Sequence, residues 1–309
     1  MISETQVARI LAVAQPGARL LAVQPLGERT LMLELQPGKP LVLRLGDTAD
    51  RWAGDPLRSE VIALEALRAE IDLPLPQVIA ADDGSLAEVP FLLLSYLEGT
   101  TLLELHSALD EDSLYAVGGA LAELIVRVHG YSVPNYGRLD AVAAPQLNAD
   151  LPFAGDADVQ YLARRIDVAL VDALAAGEID QVGVERIRSW VGGNLAGSGR
   201  PACLVHGDLR PERVLLRRRE RGWAIAGLTG WGYAQAWRPA WDHAALFEQF
   251  AGREYFSLRV GYGNAYDGAT ERHYDQLREF ALQPYRLVLY LEAGRADLAL
   301  ALCGDGGTP

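Results

Sequence analysis

The pattern of apolar residues changes near residue 100, and this change constrains the fold of the 309-residue chain more than any other feature. Before that point, short β-leaning apolar runs are broken by Gly and Pro. Beyond it, apolar residues recur at helical spacing, as in Leu114–Val128 and Tyr161–Ala175. We therefore predict an α+β protein with a small antiparallel-sheet lobe over residues 1–98 and a larger, mainly helical lobe over residues 99–309.

The first part of the chain is predicted to contain five strands and one helix. Apolar side chains at three- and four-residue spacing predict that the helix spans Leu57–Ile71 and buries one face. The segment Ser95–Gly99 is predicted to connect the two lobes. The predicted strands are Arg19–Pro25, Thr30–Gln36, Leu41–Leu45, Gln77–Ala80 and Phe91–Leu94.

The acidic balance of the chain argues against some classes of partner. A formal net charge of −13 disfavours binding to a nucleic-acid backbone and suits a cationic small molecule. No apolar run approaches about 18 residues, and the first residues lack the pattern of a secretion signal. Cys203 and Cys303 are too few for a disulfide framework or a thiolate metal site. We predict a soluble, cytoplasmic protein that binds neither nucleic acid nor membranes.

Two segments in the second half of the chain have the form of sequence motifs with candidate catalytic residues. The first, ACLVHGDLRPERVLL, begins at Ala202 and consists of a strand, a polar turn and a second strand. The second, GLTGWGYAQAWRPAWDHAAL, begins at Gly227. Together they resemble the catalytic loop and the following block of aminoglycoside phosphotransferases, choline kinases and related small-molecule kinases, which have a protein-kinase-like fold. The matching residues are His206, Gly207, Asp208, Leu209, Pro211, Leu215, Gly227, Trp231, Ala234, Pro239, Asp242 and Ala244.

The resemblance implies roles for residues of the catalytic loop, residues 204–216. Asp208 matches the carboxylate that accepts the proton of the substrate hydroxyl in phosphoryl transfer. His206 and Asp242 match residues that order this loop, and we expect them to be structural.

The resemblance also implies a nucleotide site in the first lobe. Arg44, on the third predicted strand, stands where a basic residue holds the ATP phosphates, and Glu60 stands where a helical glutamate pairs with it. Ser95 and Leu97 in the connector are expected to line the same site. The turn between the first two strands, LGERT, has a single glycine and is poor for cradling phosphates.

Both positions that should bind the catalytic metal ions carry unsuitable residues. Arg213 replaces the asparagine of the loop, and Gly230 replaces the aspartate that opens the next block; neither side chain can ligate magnesium. A guanidinium about 5 Å from a unit positive charge is repelled by roughly 3 kcal/mol at an effective dielectric of about 20, and a dication doubles this. We therefore assign no metal site.

The replacement of both metal-binding residues leaves three hypotheses for the function. The leading hypothesis is a pseudokinase, catalytically impaired, that binds a small molecule, a nucleotide or a protein, with ATP held without metal if it binds. The alternative is an active ATP-dependent phosphotransferase acting with magnesium on a hydroxyl of a small molecule, such as a cationic one. In that case Glu212 would have to supply a metal ligand. A third is another reaction in the same cleft, such as nucleotidyl transfer.

Two expectations concern the geometry of the cleft. Arg213 is predicted to occupy the vacated metal position and to pair with Asp208, using the room left at Gly230. A cationic ligand is predicted to dock near Asp208 and the acidic segment Asp275–Glu279.

Overall fold

A five-stranded antiparallel sheet forms the framework of the N-terminal part. The computed structural model describes residues 2–46, 55–70, 72, 74–134, 136–139, 157–195, 202–269 and 279–304. The strands lie in the order β1-β2-β3-β5-β4. All five predicted strands are confirmed, with ends shifted by at most a few residues: β1 (Arg19–Gly27), β2 (Thr30–Gln36), β3 (Leu41–Leu45), β4 (Val78–Asp82) and β5 (Phe91–Ser95).

The prediction of a single helix in this part is wrong. A helix at the start of the chain, α1 (Glu4–Ala14), packs its buried residues Ile10 and Leu11 on one face of the sheet. Its start is a capping box, in which the backbone N–H of Gln6 donates to the Ser3 hydroxyl (3.3 Å) and the Gln6 side chain accepts from the Ser3 backbone (2.9 Å). The Ser-x-x-Gln spacing is visible in the sequence and was the signal that could have found this helix.

The predicted helix of the first lobe is present as α2 (Pro56–Glu70). Asp55 accepts a hydrogen bond from the backbone N–H of Leu57 (2.9 Å), and a proline at the first helical position suits the fixed φ of that residue. Leu64 and Leu67 pack against the opposite face of the sheet from α1. The last residue of the predicted span, Ile71, lies outside the described residues.

The C-terminal part is mainly helical, as predicted, and contains two small sheets. The predicted helices Leu114–Val128 and Tyr161–Ala175 lie within the observed helices Glu111–His129 and Ala157–Ala176. The helices are α3 (Leu102–Leu105), α4 (Glu111–His129), α5 (Ala157–Ala176), α6 (Gln181–Asn194), α7 (Pro239–Gln249), α8 (Phe256–Ala269), α9 (Glu279–Glu292) and α10 (Ala296–Leu302).

The two small sheets carry the segments that the sequence analysis singled out. One has the order β11-β10-β6 and the other β7-β9-β12-β8. Their strands are β6 (Thr100–Thr101), β7 (Ser132–Val133), β8 (Gly137–Arg138), β9 (Ala202–Val205), β10 (Val214–Arg218), β11 (Trp223–Leu228) and β12 (Gln235–Trp237).

The connection between the two parts leads directly to the catalytic loop. Thr100 and Thr101 pair with Leu216 and Leu215 of β10, the strand that follows the loop. The chain therefore pairs with the strand after the catalytic loop, starting two residues beyond the predicted lobe boundary at residue 98. That boundary stays a prediction. Within the described ranges, no helix is both long and apolar enough to cross a bilayer.

Candidate functional site

The catalytic loop runs from the end of β9 to the start of β10 and is anchored by a buried carboxylate. Asp242, in the first turn of α7, accepts hydrogen bonds from the backbone N–H groups of His206 (2.7 Å) and Gly207 (2.8 Å). One of its oxygens also lies 3.0 Å from Nε2 of His129, at the end of α4. Burial alone would raise the pKa of Asp242, but the hydrogen bond and charge of His129 and further partners lower it overall.

His206 lies beneath the loop and fixes its path. The side chain is fully buried, with Nε2 3.0 Å from the carbonyl oxygen of Thr229 and Nδ1 3.2 Å from the backbone nitrogen of Asp208. Burial lowers the pKa of His206, so the ring is neutral at neutral pH, and these contacts fit a ring that donates from Nε2 and accepts at Nδ1. The predicted loop-ordering roles of His206 and Asp242 stay proposals, supported by these contacts.

Asp208 is held by two arginine side chains. Arg213 donates to one carboxylate oxygen from Nε (2.9 Å) and Nη2 (2.7 Å), so the expected pair is present. Arg210 donates to the other oxygen from Nε (2.7 Å) and lies 2.5 Å from it at Nη2. Both oxygens that could accept a substrate proton therefore already accept hydrogen bonds from guanidinium groups.

Gly230 leaves the space that the Arg213 side chain occupies. The glycine has a positive φ of 81°, and a Cβ added there would lie 2.6 Å from both Cδ and Nε of Arg213. The backbone N–H of Thr229, one residue earlier, donates to the Arg213 carbonyl (3.0 Å). The two altered positions are thus in direct contact, and any larger side chain at position 230 would displace the arginine.

A second ion pair links the sheet to this turn. Arg44 on β3 donates through Nη1 to Glu60 on α2, which is 1% exposed. The other oxygen of Glu60 accepts a long hydrogen bond from the backbone N–H of Trp231 (3.4 Å). Burial raises the pKa of Glu60 above its usual range, although Arg44, Trp231 and Arg213 oppose the shift. The expected pairing of Arg44 with Glu60 is present; a role in nucleotide binding stays a prediction.

The two connector residues make structural contacts. The Ser95 hydroxyl accepts a hydrogen bond from the backbone N–H of Gln77 (2.8 Å), the residue before β4. Leu97 packs on Gly227 of β11, with its Cδ1 2.3 Å from the position that a Cβ of Gly227 would take. A contact of Ser95 and Leu97 with a nucleotide stays a prediction.

Comparison with known sequences assigns the chain to a family. A sequence model described as the phosphotransferase enzyme family matches residues 26–280, which is most of the chain. The chain belongs to this family. A curated relative, the mitochondrial "altered inheritance of mitochondria protein 9" of Lodderomyces elongisporus, is 28% identical over 168 residues, 48% of this chain and 26% of the relative. The chain thus matches only about a quarter of that protein's length.

Solved structures of the phosphotransferase family share the fold. A protein described as a fructosamine-3-kinase from Thermobifida fusca superposes with a TM-score of 0.61 at 18% identity, covering 96% of this chain and 97% of that one. The GDP complex of aminoglycoside 2'-phosphotransferase-IIIa gives 0.59 at 17% identity, covering 97% of each chain. Macrolide 2'-phosphotransferase type I gives 0.57 at 18% identity, covering 100% and 99%. The predicted family and the bilobal, kinase-like fold are confirmed.

The residues present do not fit the magnesium ion that the phosphotransferase family implies. Magnesium requires a shell of oxygen ligands, but the Arg213 guanidinium is bound to Asp208 and lies against Gly230, which offers no side-chain oxygen. Glu212, the possible substitute ligand, has an exposed side chain. In the described part of the chain, no group of three or more His, Cys, Asp and Glu residues is placed to hold a metal ion.

Sequence reasoning missed two residues of this site. Arg210 was not expected to hold Asp208, although its position two residues along the loop was a usable signal. His129 was not expected to contact Asp242, since 113 residues separate them and no motif joins them. The acidic segment expected to attract a cationic ligand, Asp275–Glu279, lies outside the described residues except for the backbone of Glu279.

Proposed function

We propose that this member of the phosphotransferase family is a pseudokinase, which binds a nucleotide or small molecule in the cleft without magnesium-dependent phosphoryl transfer. One observation carries the proposal: both carboxylate oxygens of Asp208 are held by Arg210 and Arg213. A general base must be free to accept the proton of the attacking hydroxyl, and here both oxygens already accept hydrogen bonds from guanidinium groups. Cytoplasmic location and a protein partner remain further predictions.

The class of ligand is supported by the relatives. Solved structures of the fold include a GDP complex of an aminoglycoside phosphotransferase and a ternary complex of another with ADP and hygromycin B. By analogy, this chain is proposed to hold a nucleotide next to Arg44, and any second small molecule next to Asp208. The identity of the small molecule depends on helical-lobe loops, which differ freely among proteins of one fold.

Turnover of labelled ATP tests the proposal. Wild type and Asp208→Ala are incubated with ATP, magnesium or manganese, and a panel of aminoglycosides, a macrolide, choline and a fructosamine. We expect no phosphorylated product from either protein, because the base is blocked and the metal ligands are missing. Product formed by wild type and lost in Asp208→Ala would overturn the proposal and establish the active ATP-dependent phosphotransferase instead.

A further inference from the structure

Two guanidinium groups lie against the turn that follows β11, and a third lies beside one of them. Arg213 contacts the turn at Gly230, and the Arg44 Nη2 atom lies 3.5 Å from the position that a Cβ of Gly232 would take. Arg210 lies next to Arg213, since both hold Asp208. The turn Gly230–Gly232 therefore brings Arg44 of the sheet close to the arginine pair of the catalytic loop.

The arginines are more accessible than the carboxylates that they hold. The side chains of Arg210 and Arg213 are 38% and 30% exposed, against 12% for Asp208. Arg44 is 23% exposed, against 1% for Glu60. In each of these ion pairs the arginine is therefore the partner more accessible to a ligand.

These guanidinium groups have more positive charge and more N–H donors than their two carboxylate partners use. Three arginines face two carboxylates, Asp208 and Glu60, so these five side chains together carry +1 even with both carboxylates ionised, in a chain whose formal charge is −13. A guanidinium carries five N–H donors, and the contacts of Arg213 with Asp208 use its Nε and Nη2 atoms. Forked donors of this kind match phosphate oxygens.

We infer that this cleft binds the phosphates of a nucleoside di- or triphosphate without a divalent cation, with the Arg213 guanidinium as the fixed positive charge in place of the metal. The inference rests on the proposed function and adds how the ligand is held. Magnesium works against binding at such a site, because it pairs with the phosphates in solution and removes the charge that the arginines would neutralise.

Calorimetric titration tests this inference. ATP, ADP, GDP, tripolyphosphate and adenosine are titrated into the full chain, once with EDTA and once with excess magnesium. We expect the nucleotides to bind at least as tightly in EDTA as in magnesium, tripolyphosphate to compete with them, and adenosine to bind much more weakly. Raising the salt concentration should weaken binding, since the contacts are ionic.

Variants distinguish binding at the arginine site from a general effect of the protein's positive charges. We expect Arg213→Gln to weaken ATP binding about tenfold, the value of one charge-assisted contact, and Arg213→Lys to lose less. Arg219→Gln is the matched control, because Arg219 is exposed in the β10–β11 hairpin and away from the cleft. Thermal unfolding of each variant establishes that it is folded.

The outcomes distinguish this inference from the proposed function. Binding that requires magnesium would overturn the inference and, together with ATP turnover, the pseudokinase. Absence of nucleotide binding in both buffers, adenosine binding as tight as ATP binding, or equal losses in Arg213→Gln and Arg219→Gln would overturn the inference alone. The turnover assay would still decide the proposed function in each of these cases.

Discussion

At the scale of single residues, Arg213 and Gly230 depend on each other. The arginine holds Asp208, and it can do so because position 230 has no side chain to collide with its Cδ and Nε atoms. The backbone at Gly230 has a φ of 81°, a conformation that aspartate adopts more readily than most residues. A return to the family's metal ligands is therefore sterically possible only if both positions change together.

A double-mutant cycle of Arg213→Asn and Gly230→Asp tests this dependence. Each single change breaks the pair with Asp208, the second by displacing the arginine, and we expect each to cost about 1–3 kcal/mol of unfolding free energy. The double variant should be less destabilised than the sum by about 1 kcal/mol or more. Denaturant unfolding measures the cycle, and calorimetry with magnesium or manganese should detect a new metal site in the double variant alone.

The control for backbone strain is Gly222→Asp. Gly222 has a similar φ of 79°, but no atom lies within 4 Å of the position that its Cβ would take. It should therefore show only the cost of the left-handed backbone, about 1 kcal/mol for aspartate. Equal losses in Gly222→Asp and Gly230→Asp, or strict additivity in the cycle, would contradict the contact between Arg213 and Gly230.

At the scale of secondary-structure elements, the close packing of α4 on α8 positions the end of α4, which contacts the site. Gly118 on α4 faces the backbone of α8, and a Cβ added there would lie 2.0 Å from the carbonyl oxygen of Leu258. At Gly119, the neighbouring residue, the nearest atom would be 3.8 Å away, an ordinary contact. The approach of the two helices thus depends on one glycine of an adjacent pair, and α4 ends at His129, which contacts Asp242.

Alanine substitutions at the two glycines should have opposite effects. Gly118→Ala forces the helices apart, and we expect a loss of about 1–3 kcal/mol or more in unfolding free energy. Gly119→Ala should be neutral or stabilise the protein by up to about 1 kcal/mol, because alanine has the higher helix propensity. Chemical denaturation measures both; a tolerated Gly118→Ala would show that the crossing is looser than the structure indicates.

At the scale of the whole molecule, Asp242 joins three distant segments of the chain. Its carboxylate contacts His129 of α4 and the backbone of the catalytic loop, while its own backbone belongs to α7. The ion pair of Arg44 and Glu60 joins the sheet to α2 in the same way, and Trp231 connects that pair to the turn after β11. Two buried carboxylates therefore connect elements that are far apart in the sequence.

We expect Asp242→Asn to destabilise the protein by about 3 kcal/mol at neutral pH, because buried N–H groups lose a charged acceptor. The pKa of Asp242 is lowered in the folded protein, so its stabilising effect is present above its usual pKa of 3.8 and is lost as the pH falls through the folded value. The difference in unfolding free energy between wild type and variant should therefore shrink in acid. Asp112→Asn, at an exposed position of α4, is the control for removing a surface carboxylate.

Much of the fold followed from local patterns. Strands such as Thr30–Gln36 and Leu41–Leu45 have the predicted limits, because an apolar run bounded by turn residues has few other ways to be buried. The helix α1 was missed although Ser3 and Gln6 have capping-box spacing. Its apolar face is buried only by packing against the sheet. Within the site, the pairing of Arg213 with Asp208 was predictable because five residues of one loop separate them.

The sequence by itself determined the family and the two-part fold, and it predicted the loss of both metal ligands, because each depends on which residues stand at fixed positions along a motif. Only the tertiary structure showed that Arg210 joins Arg213 on Asp208, that His129 reaches Asp242, and that Trp231 contacts Glu60. These contacts depend on the direction of long side chains and on segments up to 171 residues apart, and packing alone brings such groups within hydrogen-bond distance.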